Sequence, residues 1–185
     1  MNSKKSIRRK SYTEPGKLYF FTATINQWER LFELERNKEI VIECLQHLSN
    51  TNKIRVYGIV IMPTHLHIIW QILESNNKES PQTTFLKFTA HAFLKTIKDK
   101  KKQLLSNYRV NANNKRYAFW QRDSLAFELT KRKTALTKLN YIHNNPIAKH
   151  WRLASSPEEY KYSSAQFYKN GENNFSFLKH IIEVI

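Results

Sequence analysis

Residues 56–70 constrain the fold more than any other stretch, because they form two nearly continuous apolar runs on either side of Met62-Pro63-Thr64. We interpret these runs as two strands joined by a turn, and strands this apolar lie centrally in a sheet. His65 and His67 open the second strand. Side chains of a strand alternate between its faces, so both imidazoles point to one face and Leu66 points to the other. The pattern fits a divalent-metal site completed by a ligand from elsewhere, and it equally fits two ordinary histidines at a sheet end.

The charge balance of the chain predicts a polyanionic partner. Its 185 residues are enough for one domain, and 31 Lys and Arg against 15 Asp and Glu give a net charge of +16. Nucleic acid is the first candidate partner and an anionic membrane surface the second, although a chain simply rich in Lys and Asn carries the same sign of charge. Aromatic residues make up 13% of the chain. They favour nucleic acid, because bases stack on rings while phosphates pair with cations.

The ends and the cysteine content indicate a cytoplasmic protein without membrane contact. No apolar run is long enough to span a bilayer, and no apolar signal core follows the basic N-terminus. The single cysteine, Cys44, cannot form an internal disulfide. We divide the chain into a basic arm at residues 1–16, a main domain at residues 17–150 and a C-terminal extension at residues 151–185.

Apolar periodicity predicts the element order β-α-β-β-α-β-α. Strands are predicted at residues 17–25, 54–62 and 65–73 with a fourth inside 117–129, helices at 34–48, 81–102 and 131–145, an Asn-rich loop at 106–116, and a short helix within 155–168. Two helices among four strands predict an α+β fold, a ferredoxin-like sandwich. We expect a four-stranded antiparallel sheet with helices on one face, and the late helix and the C-terminal extension packed against it.

The late helix carries the second set of chemically interesting residues. Tyr141 and Asn145 are four positions apart, so they share one helix face. His143 lies about 200° around the helix from Tyr141, which argues against a role as its base. An aromatic residue at a helix edge and an asparagine that ends a helix before Pro146 remain the structural alternatives. Thr130 is the predicted N-cap of this helix.

Four motifs in order connect these two regions to a known family. They are Tyr57-Gly-Ile-Val-Ile-Met-Pro-Thr-His-Leu-His-Ile-Ile-Trp70, Phe119-Trp-Gln-Arg122, Tyr141-Ile-His-Asn-Asn-Pro-Ile-Ala-Lys149 and Tyr162-Ser-Ser-Ala165. Over residues 8–168 the chain resembles the IS200-like single-tyrosine (HUH) transposases. The closer likeness is to the branch associated with repetitive extragenic palindromes (REP).

This resemblance implies a transposase of bacterial type that nicks and rejoins single-stranded DNA beside a hairpin. It implies that His65, His67 and Asn145 bind Mg²⁺ or Mn²⁺, and that Tyr141 is the nucleophile. The expected intermediate is a 5′-phosphotyrosine with a free 3′-hydroxyl, formed without a nucleotide cofactor. The extension after residue 150 is similar to that of the REP-associated branch, which favours a monomer over a homodimer.

Basic side chains are predicted to hold the DNA backbone, although lysines that are merely solvated are an alternative interpretation. The predicted DNA-contacting residues are Arg8, Arg9, Lys10, Arg116, Arg122, Lys138 and Lys149.

The chain departs from the family's usual pattern in three places. Thr64 replaces an asparagine before the first histidine, which we expect to affect the turn more than the metal. Residues 123–128 replace an aromatic-Asp-His segment, and His150-Trp151 replaces Gly-Leu after the tyrosine helix.

Two other functions compete with the enzyme. A protein of the same fold could bind DNA hairpins without cutting them, but then the full set of proposed catalytic residues would have no purpose. A ferredoxin-like sheet could also bind RNA, and such a protein would need neither the His-x-His pair nor the Tyr-x-x-x-Asn pair.

Overall fold

The computed structural model describes residues 13–74, 79–100, 102–112, 115–122 and 124–185, and this part of the chain contains six strands, five α-helices and six short 3-10 helices. The strands are β1 (Leu18–Thr24), β2 (Ile54–Ile61), β3 (His65–Ile72), β4 (Arg109–Ala112), β5 (Lys115–Tyr117) and β6 (Leu125–Glu128). The helices are α1 (Glu35–Asn50), α2 (Pro81–Lys100), α3 (Lys102–Leu105), α4 (Arg132–Asn144) and α5 (Ala165–Asn170). Most of the predicted basic arm, including Arg8, Arg9 and Lys10, lies outside the described residues.

The predicted α+β fold is confirmed. Four strands form an antiparallel sheet in the order β2-β3-β1-β6. Helices α1 and α2 cover one face of this sheet, and α4 covers the other. The register of β1 with β3 places Thr24 opposite His65 and Thr22 opposite His67. Among the described residues, no helix is both long and apolar enough to traverse a membrane.

Strand β3 is apolar on both sides because both faces of the sheet are buried. Leu66, Ile68 and Trp70 face the core under α1 and α2, and Ile69 faces the core under α4. The two histidines share the α4 side, as the period of two requires, since Thr22 and Thr24 flank them there. The buried position of Leu66 on the opposite face agrees with the prediction.

The prediction that both strands of the hairpin are central is wrong for β2, which is the first strand of the sheet. Its outer edge is instead covered by the C-terminal extension. Ile61 N donates to Tyr162 O at 2.9 Å, Ser164 N donates to Ile59 O at 2.9 Å, and Lys179 N donates to Val56 O at 2.9 Å. A strand covered in this way needs apolar residues on both faces just as a central strand does, which is why its sequence misled the prediction.

Two local predictions also need correction. The segment predicted as an Asn-rich loop contains the β4-β5 hairpin, with Arg109 paired to Tyr117. The N-cap of α4 is Lys131 and not Thr130, and its side chain makes no capping hydrogen bond. Capping chemistry therefore does not determine where α4 begins; the buried residues Ala135, Leu139 and Ile142 anchor it to the sheet.

Gly58 allows α4 to lie close against β2. A Cβ atom at this position would come within 2.8 Å of Leu139 Cδ1 and 3.0 Å of Ile142 Cδ1. Contacts this short would displace the ends of both side chains, so a residue without a side chain favours the close packing of α4 on β2.

We expect Gly58→Val to destabilise the protein by about 1–3 kcal/mol, because its methyl groups overpack the interface with α4. Chemical denaturation of the variant and the parent measures this difference. Leu139→Ala removes one of the obstructing methyl groups, so the cost of Gly58→Val should be smaller in that background. A strictly additive double-mutant cycle would contradict the close approach as the cause.

Candidate active site

Two threonine hydroxyls fix the orientation of the paired histidines. Thr22 Oγ1 lies 2.8 Å from His67 Nδ1, and Thr64 Oγ1 lies 3.0 Å from His65 Nδ1. The two imidazole centroids are 4.9 Å apart. With each Nδ1 engaged by a hydroxyl, the Nε2 atoms are the ones available for a ligand. Thr64 therefore contacts the first histidine directly.

Burial keeps both imidazoles neutral at pH 7. It lowers the pKa of His65 to about 4, with a further contribution from nearby His150. Burial also lowers the pKa of His67 to about 3, and the charges of His65 and Lys138 act in the same direction. A neutral imidazole is the form that binds a metal ion, so the pair does not have to lose protons before coordination.

Tyr141 projects from α4 beside His67. The two ring centroids are 5.4 Å apart, and 48% of the tyrosine remains exposed. Phe20 supports both, because its ring stacks on His67 at 5.2 Å and meets Tyr141 edge-on at 6.2 Å. Lys138 Nζ lies 4.7 Å from the Phe20 centroid and 5.6 Å from the Tyr141 centroid. The phenol of Tyr141, the imidazole of His67 and the ammonium group of Lys138 are therefore neighbours.

Asn145 is buried at the end of α4 and faces the same cleft as the histidines. Its Nδ2 and the Nε2 of His67 are both buried without a hydrogen-bond partner among the described residues. Turning the amide over exchanges Nδ2 with Oδ1, which would place an oxygen ligand at that position. Such orphaned atoms carry a desolvation cost that a bound cation and its water would remove.

The two histidines need the amide of Asn145 as a third ligand to form a plausible site for a divalent cation. The described residues contain no cluster of three or more His, Cys, Asp or Glu side chains suited to a metal. Two imidazoles and one amide oxygen leave coordination positions open, and this mixed set does not discriminate between Mg²⁺ and Mn²⁺.

The cleft that contains these residues has a volume of about 710 Å³. It includes His65, His67, Tyr141 and Asn145, and of its lining residues none is Asp or Glu. Sequence reasoning missed part of its wall: Thr22, Trp28, Asn140, Asn144, His150 and Trp151. The period of α4 offered a signal for Asn144 and Asn140, whereas Trp28 comes from a short 3-10 helix after β1 and Trp151 from the turn after α4.

The predicted DNA-contacting residues differ in their position relative to Tyr141 and the cleft. Lys138 is next to Tyr141, and Lys149 is exposed on the turn that follows α4. Arg116 and Arg122 are exposed, and neither lines the cleft. Any contact they make with DNA is therefore outside the cleft.

His143 faces away from Tyr141, into the interior. Its Nε2 lies 2.9 Å from Ser164 Oγ, which also donates to Ile59 O at 3.2 Å and accepts from Ile59 N at 3.0 Å. Burial lowers the pKa of this imidazole to about 4. His143 therefore connects α4 to both the C-terminal extension and β2.

We expect Thr22→Val to weaken divalent-metal binding by about 10- to 100-fold, because it removes the hydroxyl that holds His67 while keeping the shape of the side chain. Titration calorimetry with Mn²⁺ measures the change. Thr24→Val is the matched control, since Thr24 lines the same cleft but has no hydrogen bond to either imidazole among the described contacts. Equal effects of the two substitutions would contradict the orienting role of Thr22.

Comparison with known proteins identifies the fold. No family model matches the chain, and no curated protein matches it. The structure is similar to that of a REP-associated tyrosine transposase bound to a REP hairpin, with a TM-score of 0.62 and 16% identity over 95% of this chain and 98% of that one. A candidate transposase from Deinococcus radiodurans gives a TM-score of 0.42 and 12% identity over 76% of this chain and 96% of that one.

The first of these similarities defines the class of fold. At 16% identity it establishes architecture alone: the chain has the fold of a REP-associated tyrosine transposase. The resemblance carried by the four sequence motifs is therefore confirmed at the level of the fold.

Proposed function

We propose that this protein is a metal-dependent single-stranded DNA nickase and strand transferase that works at hairpins through a covalent bond to Tyr141. One observation carries the proposal: the Tyr141 ring lies 5.4 Å from His67 in the cleft that also contains His65 and Asn145. The neighbour of the same fold is bound to a REP hairpin, which supports hairpin DNA as the partner.

Tyr141 is the nucleophile in this proposal. Its phenolic oxygen forms a bond to the scissile phosphorus while the bond from phosphorus to the 3′ oxygen breaks. The phenol gives its proton to water, and the departing 3′ oxygen takes a proton from water to become a free hydroxyl. The energy of the phosphodiester is kept in the 5′-phosphotyrosine, so a 3′-hydroxyl can later attack it and rejoin the strand.

The surrounding residues position the reacting groups. Phe20 holds the phenol and His67 in one arrangement, and the ammonium group of Lys138 balances phosphate charge beside the nucleophile. His65, His67 and Asn145 would hold Mg²⁺ or Mn²⁺, which supplies charge neutralisation and orientation of the scissile phosphate. An ordinary phenol is protonated at neutral pH and attacks poorly, so such help is needed.

A single copy of the chain contains the proposed site. Tyr141 and the histidine pair belong to the same molecule and line the same cleft, so a second copy is not needed to supply the tyrosine. This supports a monomer as the acting form.

The test is incubation of the protein with Mn²⁺ and a pool of single-stranded hairpin DNA, followed by denaturing electrophoresis and sequencing of the attached DNA. We expect a covalent adduct through a 5′-phosphate. Hairpin binding without any adduct would reject the proposal in favour of a non-cleaving hairpin-binding protein.

A further inference from the structure

Trp28 has an unusual place in the cleft wall. It follows β1 in a short turn in which Gln27 has a φ of 56° and Trp28 a φ of 57°. Residues with a bulky side chain rarely adopt this left-handed region. The indole is nevertheless 60% exposed, so burial of the ring does not explain the left-handed backbone of this turn.

The turn is held firmly from both sides. Asn26 N donates to Phe119 O at 2.7 Å, and Trp28 N donates to Ile25 O at 3.0 Å. Immediately after it, Leu31 and Phe32 are buried in the core. Strain of this kind persists only where the surroundings over-determine it, and here they fix the direction in which the Trp28 side chain leaves the backbone.

Trp151 supplies a second indole on the same part of the wall. Its ring centroid lies 5.9 Å from that of His65, and the Trp28 centroid lies 6.1 Å from the same imidazole. Arg30 adds a cation, with its Cζ 5.8 Å from the Trp151 centroid and its Nε bonded to Glu33 at 2.6 Å. Two aromatic faces therefore lie beside one of the histidines, and the guanidinium group behind Trp151 is paired with Glu33.

The chemistry of this arrangement selects one kind of occupant. Unpaired bases stack on exposed indoles, and the phosphates between them pair with cations. The described cleft lining has no Asp or Glu to repel phosphate, and the chain carries a net charge of +16. The same cleft contains Tyr141, so a strand that enters it reaches the phenol as well as the indoles.

We propose that Trp28 and Trp151 form a stacking site for an unpaired base of single-stranded DNA. The proposal rests on the function proposed above and adds to it the residues that seat the strand beside the reacting phosphate. Stacking uses the flat face that every base has, so we expect the site to need a base but to show no preference among the four bases.

The test compares two DNA probes of equal length, a short oligo-thymidine strand and a strand made of abasic sites on the same backbone. Fluorescence anisotropy measures the affinity of each for the full-length protein. We expect Trp28→Ala to weaken binding of oligo-thymidine by about 5- to 150-fold and to leave binding of the abasic strand unchanged. Trp28→Phe keeps an aromatic face and should restore most of the loss. Trp151→Leu keeps apolar bulk in a half-buried position and should act like Trp28→Ala.

Phe88→Ala is the control, because that ring is 53% exposed on α2, on the opposite side of the sheet. It should change neither affinity. Equal binding of the two probes by the parent protein, or equal losses of both in Trp28→Ala, would overturn the stacking site.

Failure of the stacking site and failure of the proposed function are separable, because binding is measured without cleavage. An adduct on Tyr141 together with unchanged binding in Trp28→Ala overturns the stacking site alone. Base-selective binding that is lost in Trp28→Ala, from a parent that forms no adduct, supports the stacking site and rejects the nuclease.

Discussion

Replacing Tyr141 by phenylalanine is expected to abolish the covalent protein–DNA adduct, with a fall of at least about a thousand-fold in its rate of formation. The phenolic oxygen is the atom that bonds to phosphorus in the proposed reaction, and phenylalanine has no substitute for it. The ring that packs beside His67 and Phe20 is kept, so affinity for a hairpin strand should change by no more than about twofold. Denaturing electrophoresis of labelled DNA measures the adduct, and anisotropy measures binding.

Tyr117→Phe is the matched control for this experiment. It makes the same chemical change on β5, at a tyrosine that does not line the cleft, and should leave adduct formation intact. An adduct that persists in Tyr141→Phe would show that another residue is the nucleophile, and peptide mapping of the attached DNA would identify it.

His65→Ala is expected to remove nicking and its dependence on a divalent metal together. The substitution deletes one of two buried imidazoles that are neutral at pH 7, and Asn145 with His67 alone is a poor site for a cation. We expect nicking to fall by at least about a hundredfold and the heat of Mn²⁺ binding to disappear in calorimetry.

His91→Ala is the control, since this exposed histidine lies on α2, on the opposite side of the sheet from the cleft. It should retain both metal binding and nicking. Undiminished nicking by the parent protein in EDTA would reject the role of the metal altogether.

The sequence was sufficient for the parts of the site that depend on local periodicity. A period of two places His65 and His67 on one face, and a helical period places Tyr141 and Asn145 together, whatever the rest of the chain does. The close approach of α4 to the hairpin is favoured by Gly58, because Leu139 packs where a side chain at position 58 would lie, and this contact cannot be read from the sequence.

The sequence was not sufficient for contacts between distant segments. Thr22 reaches His67 because of the register between β1 and β3, and register is a property of the assembled sheet. Trp28 and Trp151 are far apart in the chain, and both lie near His65 in the folded protein. The turns that carry them include left-handed residues, which the amino-acid composition of these segments does not predict. The edge position of β2 was hidden for the same reason, since its cover comes from residues about a hundred positions later.

The cover over β2 also bears on how the protein behaves at high concentration. An uncovered β2 would offer a row of unpaired backbone N–H and C=O groups, flanked by apolar side chains, to any extended peptide. Exposed edges of this kind pair with strands of neighbouring molecules and lead to aggregation. Residues 162–164 and 179 occupy those groups from within the same chain. The C-terminal extension therefore leaves fewer backbone groups of β2 open to a neighbouring molecule, and we expect a form truncated before residue 162 to aggregate more readily than the full chain.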